Sequence, residues 1–201
     1  MSFTLENSKF KILEEAVQIG LGASGQVFAE MTGLPLNIEA PKLAFVKLKE
    51  VALLAGGPES TGIGLYQAIT GDIEGHLLLF FSGESGYDLA SQLMGEPPGT
   101  YYQLDEIVHS ALAELSNVTG SFFMNALADK SGLEIVPSTP AVVYDMLGAI
   151  LSGVLAELSI VGDDALVVET YFAGSGSRIK GYFFLLPTPE GLDKILKGLE
   201  A

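Results

Sequence analysis

The two halves of this chain repeat one order of elements, and that repetition constrains its fold more than any single motif. At a fixed offset of 99 residues, Leu13 matches Leu112, Glu15 matches Glu114 and Ala29 matches Ala128. Gly33, Leu34 and Pro41 likewise match Gly132, Leu133 and Pro140. Around these identities the predicted elements recur in the same order, which is the stronger sign of an internal repeat. Each half opens with a long helix-period run, 7–31 in the first and 103–128 in the second, and passes into an extended segment, Leu36–Pro41 or Leu133–Pro140. Each half then reaches a hairpin and ends in a short helix.

The hairpins read clearly. Thr61–Thr70 and Gly75–Ser82 flank Gly71-Asp72-Ile73-Glu74, and Ala165–Phe172 and Arg178–Pro187 flank Ala173–Ser177. Between extended segment and hairpin, the first half has a mixed stretch from Leu43 to Leu54, closed by Ala55-Gly56-Gly57-Pro58. In the second half Ala141–Ile160 is expected to be largely helical. The short closing helices are Ser85–Met94 and Pro189–Leu199, and Gly95-Glu96-Pro97-Pro98-Gly99 reads as the linker between halves. The expected fold class is α+β. It comprises one domain over 1–201, built from pseudo-twofold-related halves 1–97 and 98–201, with antiparallel hairpins and two long helices.

Bulk properties narrow the partners. The chain is 48% hydrophobic and 17% charged, ample for a core and poor for disorder. Twenty-five acids against ten bases give a net charge of −15, which excludes nucleic acid as a natural partner. The most membrane-like stretch, Ala141–Gly162, is interrupted by Asp145 and Glu157, so a buried helix is expected and membrane insertion is not. No cysteine is present, and two histidines are too few for a transition-metal site. The opening residues carry no secretory signal, so a cytoplasmic location is the default.

The second long helix carries the chemistry. Val108, Leu112, Leu115 and Phe122 form its expected buried seam, widened by Ile107, Ala111 and Val118. Ser110, Glu114 and Asn117, at i, i+4 and i+7, share another face, and Pro140 follows 23 residues after the asparagine. Mid-helix asparagine is unfavourable, because its amide competes for backbone groups. An isolated E-x-x-N would be an ordinary solvated face. The downstream proline and the duplicated framework make this one a candidate site.

These residues resemble the CheC/CheX/FliY family of chemotaxis phosphatases, whose signature is D/S-x3-E-x2-N-x22-P. Here it reads Ser110-x3-Glu114-x2-Asn117-x22-Pro140, with every position filled. The likeness spans nearly the whole chain, and its length and two motifs look like CheC rather than the shorter, single-motif CheX. The resemblance implies a CheC-like fold whose two long helices bear the sites, and hydrolysis of the aspartyl phosphate on a CheY-type response regulator. It assigns Asn117 to positioning the attacking water and Glu114 to pairing with a lysine of the partner. Ser110 and Pro140 would support the site. No cofactor is expected on this chain, and Mg2+ would belong to the partner. The deamidase CheD is a second partner implied, and a non-catalytic adaptor binding it is the alternative function.

In the first copy Lys11, Glu15, Gln18 and Pro41 take the corresponding places. Glutamine keeps the amide, but its additional methylene displaces it by roughly 1.5 Å, and a misplacement of that order can cost about a hundredfold in rate. This site is expected to be weak or inactive. Two other patterns mislead. Gly20-Leu21-Gly22-Ala23-Ser24-Gly25 matches a dinucleotide-binding fingerprint but follows an amphipathic helical run instead of a strand, so helix packing explains it better. His109 and Ser110 are neighbours in sequence and point apart on a helix, so they cannot act as base and nucleophile.

Overall fold

Both long helical runs form, and both stop in the same way. In the computed structural model, which describes residues 7–157, 164–174 and 177–199, α1 spans Asn7–Thr32 and α4 spans Glu106–Ser131. Asp105 caps α4 by accepting from the N–H groups of Ile107 and Val108. Gly132, at φ 68°, closes it with its N–H on the Ala128 carbonyl at 2.8 Å. Gly33, at φ 71°, closes α1 on Ala29 at 2.9 Å. A side chain would be strained at either position, so the paired glycines are conformational stops.

The remaining elements are β1 (Asn37–Lys47), α2 (Leu48–Leu54), β2 (Thr61–Gly71), β3 (Gly75–Ser82), α3 (Ser85–Leu93), β4 (Ile135–Pro137), β5 (Ala141–Met146), α5 (Leu147–Glu157), β6 (Asp164–Gly174), β7 (Ser177–Pro187) and α6 (Pro189–Gly198). The strands form one antiparallel sheet in the order β1-β6-β7-β3-β2-β4, with β5 also pairing β2. β4 and β5 occupy successive lengths of the β2 edge, opposite Ile69–Gly71 and Thr61–Tyr66 respectively. On the opposite edge β1 runs along β6 with an irregularity between Glu39 and Lys42. Exchanging the halves of the chain leaves this strand order unchanged. The fold is α+β.

Alternation sorts side chains between two cores. Ile63, Leu65 and Ile69 of β2, with Leu77, Leu79 and Phe81 of β3, face the layer holding α1, α3, α4 and α6. Leu78, Phe80, Val167 and Phe184 face α2 and α5. Central strand β3 is buried on both faces, which accounts for its unbroken apolar run. α1 and α4 lie antiparallel, with Gly20 against the Phe123 backbone. A Cβ on Gly20 would stand 2.7 Å from the Phe123 Cα. The glycine run 20–25 therefore lies inside a packed helix, as the sequence context required.

Two expectations need correction. Ala141–Ile160 is not largely helical: Ala141–Met146 is strand β5, only Leu147–Glu157 is helix, and 158–160 lie outside the described residues. β-branched Val142 and Val143 and aromatic Tyr144 favour a strand, and the free β2 edge gives it hydrogen-bond partners. That strand is largely exposed, and among the described residues the buried side chains of the stretch, Leu147, Ile150 and Leu151, all belong to α5. On α4, Ile107 is 58% exposed and Phe123, not Phe122, is fully buried. The true seam (Val108, Leu112, Leu115, Val118, Phe123) drifts around the helix to follow the sheet.

Candidate functional site

α1 and α4 turn their outer faces to solvent, and both polar stripes lie there. Ser110, Glu114 and Asn117 are exposed on α4, and Lys11, Glu15 and Gln18 are exposed on α1. Because the helices are antiparallel, the stripes occupy opposite ends of the pair. Glu15 is level with Lys130, which is 16 residues of helix, or about 24 Å, from Glu114.

The stripes differ in what they touch. The Lys130 ammonium donates to Glu15 Oε2 at 3.1 Å, and Gln18 Nε2 donates to the Ala40 carbonyl at 2.6 Å. In the second stripe the side chains of Ser110, Glu114 and Asn117 have no hydrogen-bond or ion-pair partner among the described residues. At the repeat offset, Met31 stands where Lys130 would be, so α1 presents no cation at the corresponding place. One copy is internally engaged. The other is open.

Each motif proline interrupts an edge. Pro140 lies between β4 and β5, and Pro41 lies at the β1 irregularity. Proline has no N–H to give the ladder, so edge breaks are where a sheet tolerates it. Just before Pro140, Ser138 is pinned to β2: its N–H donates to the Ala68 carbonyl at 2.8 Å, and its Oγ accepts from the Ala68 N–H at 3.0 Å.

Sequence reasoning missed a buried polar group beneath the stripe. Gln67 is 1% exposed. Its Nε2 donates to the Ser138 carbonyl at 2.7 Å, and its Oε1 accepts from the Ser116 hydroxyl at 3.3 Å. A Cβ on Gly120 would collide with that same Oε1. One signal was available: in β2 the inward positions read Ile63, Leu65, Gln67, Ile69, a lone amide in an apolar series. Lys130 gave no signal, since a lysine in a last helical turn is ordinary.

His109 and Ser110 are both exposed on α4, and no side-chain hydrogen bond joins them. Among the described residues no group of His, Asp and Glu is placed to hold a metal ion, and no helix is long and apolar enough to cross a membrane.

The sequence profile of the CheC-like family matches residues 107–144, which span the open stripe and its proline. The CheY-P phosphatase CheC of Bacillus subtilis is 29% identical over 201 residues, covering 98% of this chain and 96% of that protein. The chain is similar to the CheC-like family over residues 107–144 and to this relative along nearly its whole length. The CheY-P phosphatase CheX of Thermotoga maritima is 40% identical over 72 residues, covering 35% of this chain and 45% of that protein. Among solved structures, Thermotoga maritima FliY superposes with a TM-score of 0.77 at 19% identity, covering 98% of both chains. CheX in the CheX-CheY-BeF3-Mg+2 complex of Borrelia burgdorferi gives 0.52 at 21% identity, covering 86% of this chain and 97% of that one. These structural likenesses establish the shared CheC-like fold.

Proposed function

We propose that this protein hydrolyses the aspartyl phosphate of a CheY-type response regulator at the Glu114/Asn117 stripe of α4. One observation carries the reading: Glu114 and Asn117 stand one helical turn apart, exposed and without partners among the described residues, while their first-copy counterparts are engaged within the fold. Relatives named CheY-P phosphatases support the substrate class. An acyl phosphate needs a well-placed in-line water more than a strong base, because its transfer is loose and depends on positioning. A carboxamide both donates and accepts, so the Asn117 amide holds that water at a set angle. Glu114 offers its carboxylate to a cation of the partner, fixing the docked orientation. Ser110 flanks the site and takes no chemical step. Pro140, between β4 and β5, shapes the rim beside the helix. Mg2+ belongs to the regulator.

The test is decay of a phosphorylated CheY-type regulator with the native protein, Asn117→Ala and Gln18→Ala. Acceleration lost in Asn117→Ala and kept in Gln18→Ala supports one working site on α4. Loss in both assigns a working site to α1 as well. No acceleration with any cognate regulator sinks the enzyme reading and leaves a CheD-binding adaptor, for which a direct binding measurement is the next step.

A further inference from the structure

Gln67 ties the helix bearing Asn117 to the segment bearing Pro140. We infer that it is the positioning residue of the site, an inference that rests on the phosphatase reading. From the floor of the sheet its amide reaches both parts at once. Oε1 takes the hydroxyl of Ser116, the residue before Asn117, and Nε2 donates to the carbonyl of Ser138, two residues before Pro140. Gly120, one turn beyond Ser116, lacks the side chain that would fill the space of Oε1. An unpaired buried amide is costly, so the arrangement holds only while helix and loop keep this spacing. The clamp fixes the height and rotation of α4 at Asn117 relative to the rim.

The repeat supplies an internal comparison. Ala141 opposite Tyr66 and Lys42 opposite Glu169 place the two halves in a common register, and Gln67 then corresponds to Thr170. Thr170 is fully buried, and its Oγ1 has no hydrogen-bond partner among the described residues. The counterparts of Ser116 and Gly120 are Val17 and Leu21, both in the apolar core. The polar clamp therefore accompanies the open stripe and is missing beneath the engaged one. A purely architectural need would apply equally to both halves.

The experiment compares native protein, Gln67→Met, Ser116→Ala and Thr170→Val in the dephosphorylation assay. Affinity for a BeF3–Mg2+-loaded CheY-type regulator is measured alongside, with cooperative thermal unfolding as the check on folding. Methionine keeps the length of glutamine and removes both hydrogen bonds. Gln67→Met is expected to lower kcat between about tenfold and a hundredfold, the scale of a displacement approaching 1 Å. KM and regulator affinity should stay within about twofold of native, because docking through Glu114 is untouched. Ser116→Ala, which removes only the helix-side bond, should give a smaller fall of the same kind, and it decides the matter if Gln67→Met fails to fold. Thr170→Val should leave kcat unchanged. Native turnover by a folded Gln67→Met, or a rise in KM without loss of kcat, overturns the inference alone. A native protein that does not accelerate decay overturns the phosphatase reading, and the inference with it.

Discussion

Gln18 spends its amide on the carbonyl of Ala40, at 2.6 Å, in the residue immediately before Pro41. Its counterpart Asn117 is one methylene shorter, and the equivalent carbonyl is that of Thr139, before Pro140. Asn117 makes no such bond. The extra methylene therefore does more than misplace an amide: it lets Gln18 reach the edge strand and occupy its own donor. If Asn117 carries the chemistry, Asn117→Ala should reduce regulator dephosphorylation by about a hundredfold and Gln18→Ala by less than about twofold. Single-turnover phosphate release measures both.

Opening the first copy is the complementary experiment. In an Asn117→Ala background, Gln18→Asn together with Lys130→Met should recover part of the lost turnover, because it frees a shorter amide and the Glu15 carboxylate. Recovery by Gln18→Asn alone would show that the Lys130–Glu15 pair imposes no block. That pair lies at the surface, with the Lys130 side chain 35% and Glu15 63% exposed, so Lys130→Met should change stability by no more than about 1 kcal/mol in denaturant titrations.

Two helical glycines two residues apart should respond oppositely to alanine. At Gly20 a Cβ would meet the Phe123 Cα at 2.7 Å and the Phe122 carbonyl at 2.8 Å, backbone that cannot swing aside. Gly20→Ala should cost about 1–3 kcal/mol by forcing α1 from α4. At Gly22 nothing lies within 4 Å, and Gly22→Ala should stabilise by about 0.5–1 kcal/mol through helix propensity. Equilibrium unfolding in urea compares them directly.

Acid sensitivity should be traceable to one carboxylate on the sheet. Lys180 donates to Glu169 at 2.9 Å and Tyr171 adds its hydroxyl, so the Glu169 carboxyl is held below the usual carboxylate range. A lowered folded-state pKa gives stability that is present above the unfolded value, about 4.3, and is lost as pH falls through the folded one. Glu169→Gln should therefore be less stable than native at neutral pH, with the gap narrowing on acidification below about pH 4. A gap that does not change with pH would show that the ion pair contributes nothing.

Charge sets the salt dependence of docking. A protein at −15 approaching a phosphorylated, doubly negative site is repelled at long range. Raising salt from low to moderate should increase the association rate as the screening length contracts to about 10 Å at 0.1 M. Stopped-flow association across a salt series tests this, and a steep fall in rate would contradict docking by the α4 stripe.

Much of this protein is determined locally. The α+β class, both long helices with their glycine stops, the two hairpins and the spacing Ser110–Glu114–Asn117–Pro140 follow from hydrophobic periodicity and turn chemistry. Those depend on residues close in sequence. The features that tell the two stripes apart depend on residues far apart. β5 became a strand because β2 offered an edge. Lys130 met Glu15 because the helices pack antiparallel, and Gln67 became a clamp because the sheet carries it beneath Ser116 and Ser138. Sequence placed a candidate site on each helix. Only tertiary structure decided which was left open, because a side chain's partners are fixed by packing between elements and not by its neighbours along the chain.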